Sequence, residues 1–142
     1  ASSSPLPSLN HHPPTLPQTA FVASFASKLA DTVSSEIGKV LGRTTYLITT
    51  LERVPPGTEG AISAEGSAAG ALAACGFAGL AALLTEGAWQ GAPTVVAAAV
   101  AANLAESYVG AAFQGRLAWL TNDRVNLAQT VLAATLAAGL HY

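Results

Sequence analysis

Residues 61–85 read AISAEGSAAGALAACGFAGLAALLT, and Glu65 is the sole charge in the stretch. At ~1.5 Å of rise per residue, a helix of this length crosses the ~30 Å hydrocarbon core of a bilayer. The run therefore predicts a transmembrane helix over 61–85. Gly66 and Gly70 form a small-xxx-small step within it. Small side chains let a second helix approach closely, and in lipid such packing replaces the hydrophobic drive that water would supply. Cys75 lies in the same Ala/Gly/Leu run and is the chain's one cysteine. No internal disulfide is possible, and a buried, inert thiol is expected.

Working outward, Thr94–Phe113 is a further apolar span, interrupted by Asn103 and Glu106, and Val125–Leu140 is a shorter one that can end at the interface. Upstream, Ala20–Ala30 is apolar, but Lys28, Asp31 and Glu36 fall in the same helical stretch, whose polar half should face other helices. Gly38, Gly42, Pro55 and Pro56 then mark a loop. Within it, Thr44–Leu51 is rich in Thr, Tyr, Ile and Leu and suits a short strand. The expected fold is an all-α integral membrane bundle of about four hydrophobic helices, with a polar loop on the cytoplasm-equivalent side containing a short β-hairpin. Residues 1–17 hold five of the eight prolines and four serines, and read as a disordered leader ahead of a membrane-embedded domain at 18–142.

Composition supports a membrane solvent. The 142 residues are 51% hydrophobic and 10% charged, against roughly 25% charged in ordinary soluble domains. The net charge is −2, and the six Lys and Arg residues are scattered. That excludes the broad basic surface of a nucleic-acid binder. The chain contains no methionine and is expected to be part of a longer protein, with any targeting segment upstream. Lys39, Arg43 and Arg53 follow the first span, and Arg116 and Arg124 follow the third. Since basic residues favour the cytoplasm-equivalent side, loops 38–60 and 114–124 should share one face.

Nine of the fourteen charged residues fall between Lys28 and Glu65. An ionisable group at mid-bilayer costs at least ~2.5 kcal/mol, so Asp31, Glu65 and Glu106 are functional candidates by default. The bland alternative for these acids is interhelical hydrogen bonding or pairing with Lys28. Asp31 shares a helix face with Ser27, Ser34 and Ser35, whereas Glu36 lies about 140° away from it around a helix. A metal shared by the two would need either a break in the helix between them or ligands from other helices. The hard oxygen donors suit magnesium. His11, His12 and His141 lie far from this segment and argue against zinc. Gly38-Lys39, Gly42-Arg43 and Gly57-Thr58-Glu59-Gly60 can offer N–H groups and cations to phosphate, or can simply turn the chain at helix ends. No P-loop or dinucleotide fingerprint occurs.

The segment FVASFASKLADTVSSEIGKVLGRTTYLITTLERVPPGTEGAISAEGSAAG (21–70), with ANLAESYVGAAFQ (102–114) and LTNDRVN (120–126), resembles the family of plastid phytyl-phosphate kinases and transmembrane protein 19-like proteins. The resemblance implies a chloroplast membrane protein. It also implies transfer of a phosphoryl group, with CTP as donor, to phytyl phosphate in phytol salvage for tocopherol and phylloquinone synthesis. On that reading Asp31, Glu36 and Glu65 would hold magnesium, and Lys28, Lys39 and Arg43 would neutralise phosphate oxygens. Gly57, Thr58 and Gly60 would wrap the phosphate chain, and Asn103, Glu106, Asn122 and Asp123 would complete the site. The partners implied are the bilayer, an isoprenoid phosphate and the family's upstream membrane helices. A transporter or scaffold protein is the alternative in a different class, since buried acids also suit ion coupling.

Overall fold

The computed structural model of the protein describes residues 14–85, 90–113 and 116–140. Four helices carry the fold: α1 (Leu16–Leu41), α2 (Ala64–Leu84), α3 (Ala92–Phe113) and α4 (Asn122–Gly139). Between α1 and α2 run two short antiparallel strands, β1 (Thr45–Leu47) and β2 (Ala61–Ser63), paired Thr45 to Ser63 and Leu47 to Ala61. On its other edge β1 meets a second extended piece, with a bridge between Tyr46 and Arg53 and a hydrogen bond from Val54 N to Thr45 O of 3.1 Å. The expected bundle and hairpin are both present.

Helix boundaries follow local chemistry. α1 starts before Ala20, because the Gln18 side chain accepts from the Thr15 N–H at 2.9 Å and Pro17 stands in the first turn, where its missing N–H costs nothing. Leu16 and Pro17 thus belong to a helix rather than to the expected leader, whose residues 1–13 lie outside the described chain, as do His11, His12 and His141. α2 begins at Ala64, three residues later than the apolar run suggests. Ala61–Ser63 is drawn into the ladder with β1, and Ser63 then caps α2 by accepting from Gly66 N at 3.0 Å.

The interior is built from small residues. Among the described residues the buried hydrophobic side chains are alanines apart from Val95 and Val125, whereas Phe21, Phe25, Leu72, Leu83, Leu84 and Val131 point outward. This reverses the arrangement of a water-soluble core. α2 buries Gly66, Gly70, Ala74, Ala78 and Ala82, one residue per turn on a single stripe. α1 lies directly on that stripe: a Cβ on Gly70 would stand 2.8 Å from the Ala30 carbonyl oxygen and 2.9 Å from Ser34 Cβ. The small-xxx-small step is therefore a backbone-to-backbone contact. Cys75 follows Ala74 and is rotated about 100° off the stripe; it is exposed, contrary to the expectation of a buried thiol.

The α1–α4 interface has a different character. α4 buries Val125, Gln129, Ala133 and Ala137. Gln129 Nε2 donates to Ser27 O at 3.0 Å, and Ser24 Oγ donates to Thr130 O at 3.3 Å. Polar ties of this kind hold helices together in an apolar solvent. Among the described residues two helices, α2 and α3, are long and apolar enough to cross a membrane, and 22% and 28% of their apolar windows are buried within the chain. Most of each span thus faces outward, as lipid-exposed helices do.

Candidate functional site

A cavity of about 400 Å³ opens at the end of the bundle where α1 finishes, α2 begins, α3 finishes and α4 begins. Loop 38–60 reaches this end as expected, because Gly60 sits against Ser107 and Ala111 of α3. Gly60 has a φ of 71° and Gly57 a φ of 87°, the left-handed region that glycine enters without a steric penalty. These two turns bring residues 57–63 across the mouth.

Of the residues singled out in the sequence, Lys28, Asp31, Glu36, Lys39, Gly57, Thr58, Gly60, Asn103, Glu106 and Asn122 line this cavity. Lys28 Nζ donates to Asp31 Oδ2 at 2.7 Å and to Asn126 Oδ1 at 2.7 Å, which ties α1 to α4. The Asp31 side chain is 16% exposed and lies toward the interior. Glu36 is 64% exposed and accepts from Lys39 at 2.9 Å on the rim. α1 runs unbroken between these two carboxylates, and the cavity is wide enough to be lined by both. Asn103 Nδ2 donates to Ser34 Oγ at 3.2 Å, and Ser34 Oγ donates to Asp31 O at 3.0 Å. Asn103 Oδ1 is buried and has no hydrogen-bond partner among the described residues.

Glu65, Arg43 and Asp123 do not line the cavity. For Glu65 the helix period is the reason. Ser67 faces the cavity, and Glu65, two positions before it on α2, is turned about 200° from it. Glu65 instead stands in the first turn of α2, where a carboxylate suits the positive end of the helix dipole. Asp123 is likewise rotated off the Asn122/Asn126 face and is exposed. Among the described residues no three His, Cys, Asp or Glu side chains come together to hold a metal ion, so Asp31, Glu36 and Glu65 do not form one ligand set.

Sequence reading passed over Asn126, Ser63, Ser67 and Ser107, all of which line the cavity. The signal for Asn126 was its spacing of four from Asn122. For Ser63 it was a Ser placed just before an apolar helical run. A second, mostly apolar cavity of about 310 Å³ lies toward the other end of the bundle, among Phe21, Val22, Phe77, Leu80, Leu84 and Val95.

Comparison with known proteins places this chain in a family. Residues 6–134 match the family described as integral membrane protein DUF92. The chain belongs to this integral membrane family. It is similar to the chloroplastic protein VTE6 of Arabidopsis thaliana, with 51% identity over 96 residues that cover 68% of this chain and 29% of that protein. An uncharacterized membrane protein of Synechocystis is 46% identical over 101 residues, 68% of this chain and 37% of the relative. One of Methanocaldococcus jannaschii is 40% identical over 94 residues, 66% and 39% respectively. The matched segment thus spans between about three tenths and two fifths of each relative. No solved structure matches the chain. Membership of an integral membrane family with a chloroplastic plant relative agrees with the resemblance carried by residues 21–70.

Proposed function

We propose that this chain contributes the polar site of a membrane-bound phosphotransferase, which moves a phosphoryl group from a nucleoside triphosphate, CTP, to an isoprenoid monophosphate, phytyl phosphate. The observation that carries this reading is the polar cavity at one end of an apolar bundle, walled by Lys28, Asp31, Asn103, Glu106 and the glycine turn 57–60. Such a cavity presents phosphate-binding groups at the membrane surface beside helix flanks that suit an isoprenyl chain. The likeness to a chloroplastic relative supports a chloroplast membrane as the location.

Phosphoryl transfer asks a protein for alignment and charge neutralisation more than for covalent chemistry. An oxygen of the acceptor monophosphate attacks the γ-phosphorus, and the bond from that phosphorus to the β–γ bridging oxygen breaks. The products are the isoprenyl diphosphate and the nucleoside diphosphate. Lys28 and Lys39 offer N–H groups to phosphate oxygens, while the backbone N–H groups of Gly57, Glu59 and Gly60 can contact the phosphate chain, that of Thr58 being held by Pro55 O. Asn103 and Asn122 add neutral hydrogen-bonding groups.

The lining also suits magnesium. Asp31, Glu36, Glu59 and Glu106 outnumber Lys28 and Lys39, so a bare polyphosphate would meet net negative charge. Magnesium commonly takes one or two carboxylates and completes its shell with water and phosphate oxygens, which needs no cluster of three acids. Asp31 and Glu106 would hold it, and it would supply neutralisation of the donor phosphates.

The test is to purify the full-length protein and incubate it with magnesium, CTP and phytyl phosphate, following phytyl diphosphate by mass spectrometry. Product formation that depends on both substrates is expected. Absence of turnover with each of the four common nucleoside triphosphates, across phytyl, geranylgeranyl and farnesyl phosphates, would overturn the reading.

A further inference from the structure

We propose that Asn126 is a positioning residue, which fixes the Lys28 ammonium so that it can contact an anionic phosphate in the polar cavity; the inference rests on the phosphotransferase reading. Lys28 is anchored on α1, and Asp31, one turn on, accepts one of its N–H bonds at 2.7 Å. That contact alone would lay the side chain along its own helix. Asn126 Oδ1 on α4 accepts a second N–H bond at 2.7 Å and draws the ammonium toward α4, where both residues line the cavity. An ammonium carries three donors. Among the described residues these two oxygens are its partners, which leaves one N–H for a ligand.

The chemistry of the clamp matters as much as its position. Asp31 already balances the Lys28 charge, and Glu106 and Glu59 also line the cavity. A second carboxylate on the ammonium would make this corner repel phosphate. A neutral amide fixes the geometry and leaves the charge in place. Holding the helices together does not depend on Asn126, because Gln129 with Ser27 and Thr130 with Ser24 already tie α4 to α1. If Asn126 served the interface alone, a carboxylate there would be an improvement, since charge-assisted hydrogen bonds are the stronger kind.

The experiment follows from that opposition of signs. Full-length wild-type, Asn126→Asp, Asn126→Gln and Asn126→Ala proteins are reconstituted in nanodiscs, and binding of pyrophosphate in the presence of magnesium is measured by calorimetry alongside thermal unfolding. Asn126→Asp is expected to unfold no earlier than wild type yet to bind pyrophosphate at least about tenfold more weakly, as expected when a charged hydrogen-bond donor is tied up by an anion. Asn126→Ala is expected to weaken binding several-fold, and Asn126→Gln to restore part of it. Wild-type binding by both Asn126→Asp and Asn126→Ala would overturn the inference, and the Ala variant decides alone if the Asp variant does not fold. Pyrophosphate binding without product formation by wild type would sink the phosphotransferase reading and leave the positioning role standing. No pyrophosphate binding by wild type would overturn the inference, and product formation in the turnover assay would then leave the phosphotransferase reading standing.

Discussion

A Cβ placed on Gly66 would lie 2.5 Å from the carbonyl oxygen of Ser34, so the start of α2 and the end of α1 meet with no room for a side chain. Gly66→Ala must therefore push the two backbones apart. Overpacking of this kind typically costs ~1–3 kcal/mol. Gly76, on the same helix, has nothing within 4 Å of an added Cβ. Unfolding of the detergent-solubilised protein should show a clear loss for Gly66→Ala and none for Gly76→Ala.

The two turn glycines should separate in the same way. Gly57 needs its left-handed φ but has space, with Lys39 Cγ 4.0 Å from an added Cβ. Gly60 needs both the conformation and the space, since its Cβ would meet Ala111 and stand 2.5 Å from Ser107 O. Gly57→Ala should cost about 1–2 kcal/mol through backbone strain alone. Gly60→Ala should cost more and should also loosen the cavity mouth, read as faster proteolysis within loop 48–60.

Gln129 is 2% exposed, and its Oε1 has no hydrogen-bond partner among the described residues. Its one contact, to Ser27 O, is of a kind that averages about 0.6 kcal/mol in a membrane bundle. Replacing the amide by an apolar group also removes the unsatisfied oxygen, which is itself costly. Gln129→Leu is accordingly expected to change unfolding stability by less than about 1 kcal/mol, whereas Gln129→Glu, which buries a charge, should destabilise strongly.

Asp31 and Glu36 each pair with a lysine, but in opposite settings. The Lys39–Glu36 pair is exposed at both ends. Such pairs contribute roughly 0–1 kcal/mol, so Glu36→Gln should leave stability within that range. Asp31 is largely buried and accepts from Lys28 at the cavity wall. Under the phosphotransferase reading Asp31→Asn should lower kcat by about a hundredfold or more, since it removes a fixed charge from the site. Full-length protein assayed for diphosphate product, with unfolding as the control, checks both variants.

Much of the fold was legible because membrane physics is written one residue at a time. Apolar runs of sufficient length marked α2 and α3, Pro and Gly marked the loop, and the Thr-rich stretch marked β1. The basic loops also indicated which helix ends meet. Boundaries were less legible where tertiary pairing competes with helix formation, as at Ala61–Ser63, whose apolar composition suits the helix but whose hydrogen bonds go to β1. The site was legible as a segment and less so as a set. Asp31 and Lys28 could be proposed from charge in an apolar helix, whereas Asn126 is an unremarkable polar residue until α4 is seen beside Lys28.

By itself the sequence determined a membrane-embedded, mainly helical chain with its polar chemistry between Lys28 and Gly70 and small residues where helices touch. Composition and period suffice for this because lipid tolerates few alternatives. Only the tertiary structure decided which polar groups converge. It joined Asn103, Glu106, Asn122 and Asn126 to α1 and turned Glu65 away, because the direction of a side chain depends on where neighbouring helices cross. It also exposed Cys75, one residue off the stripe that α1 covers.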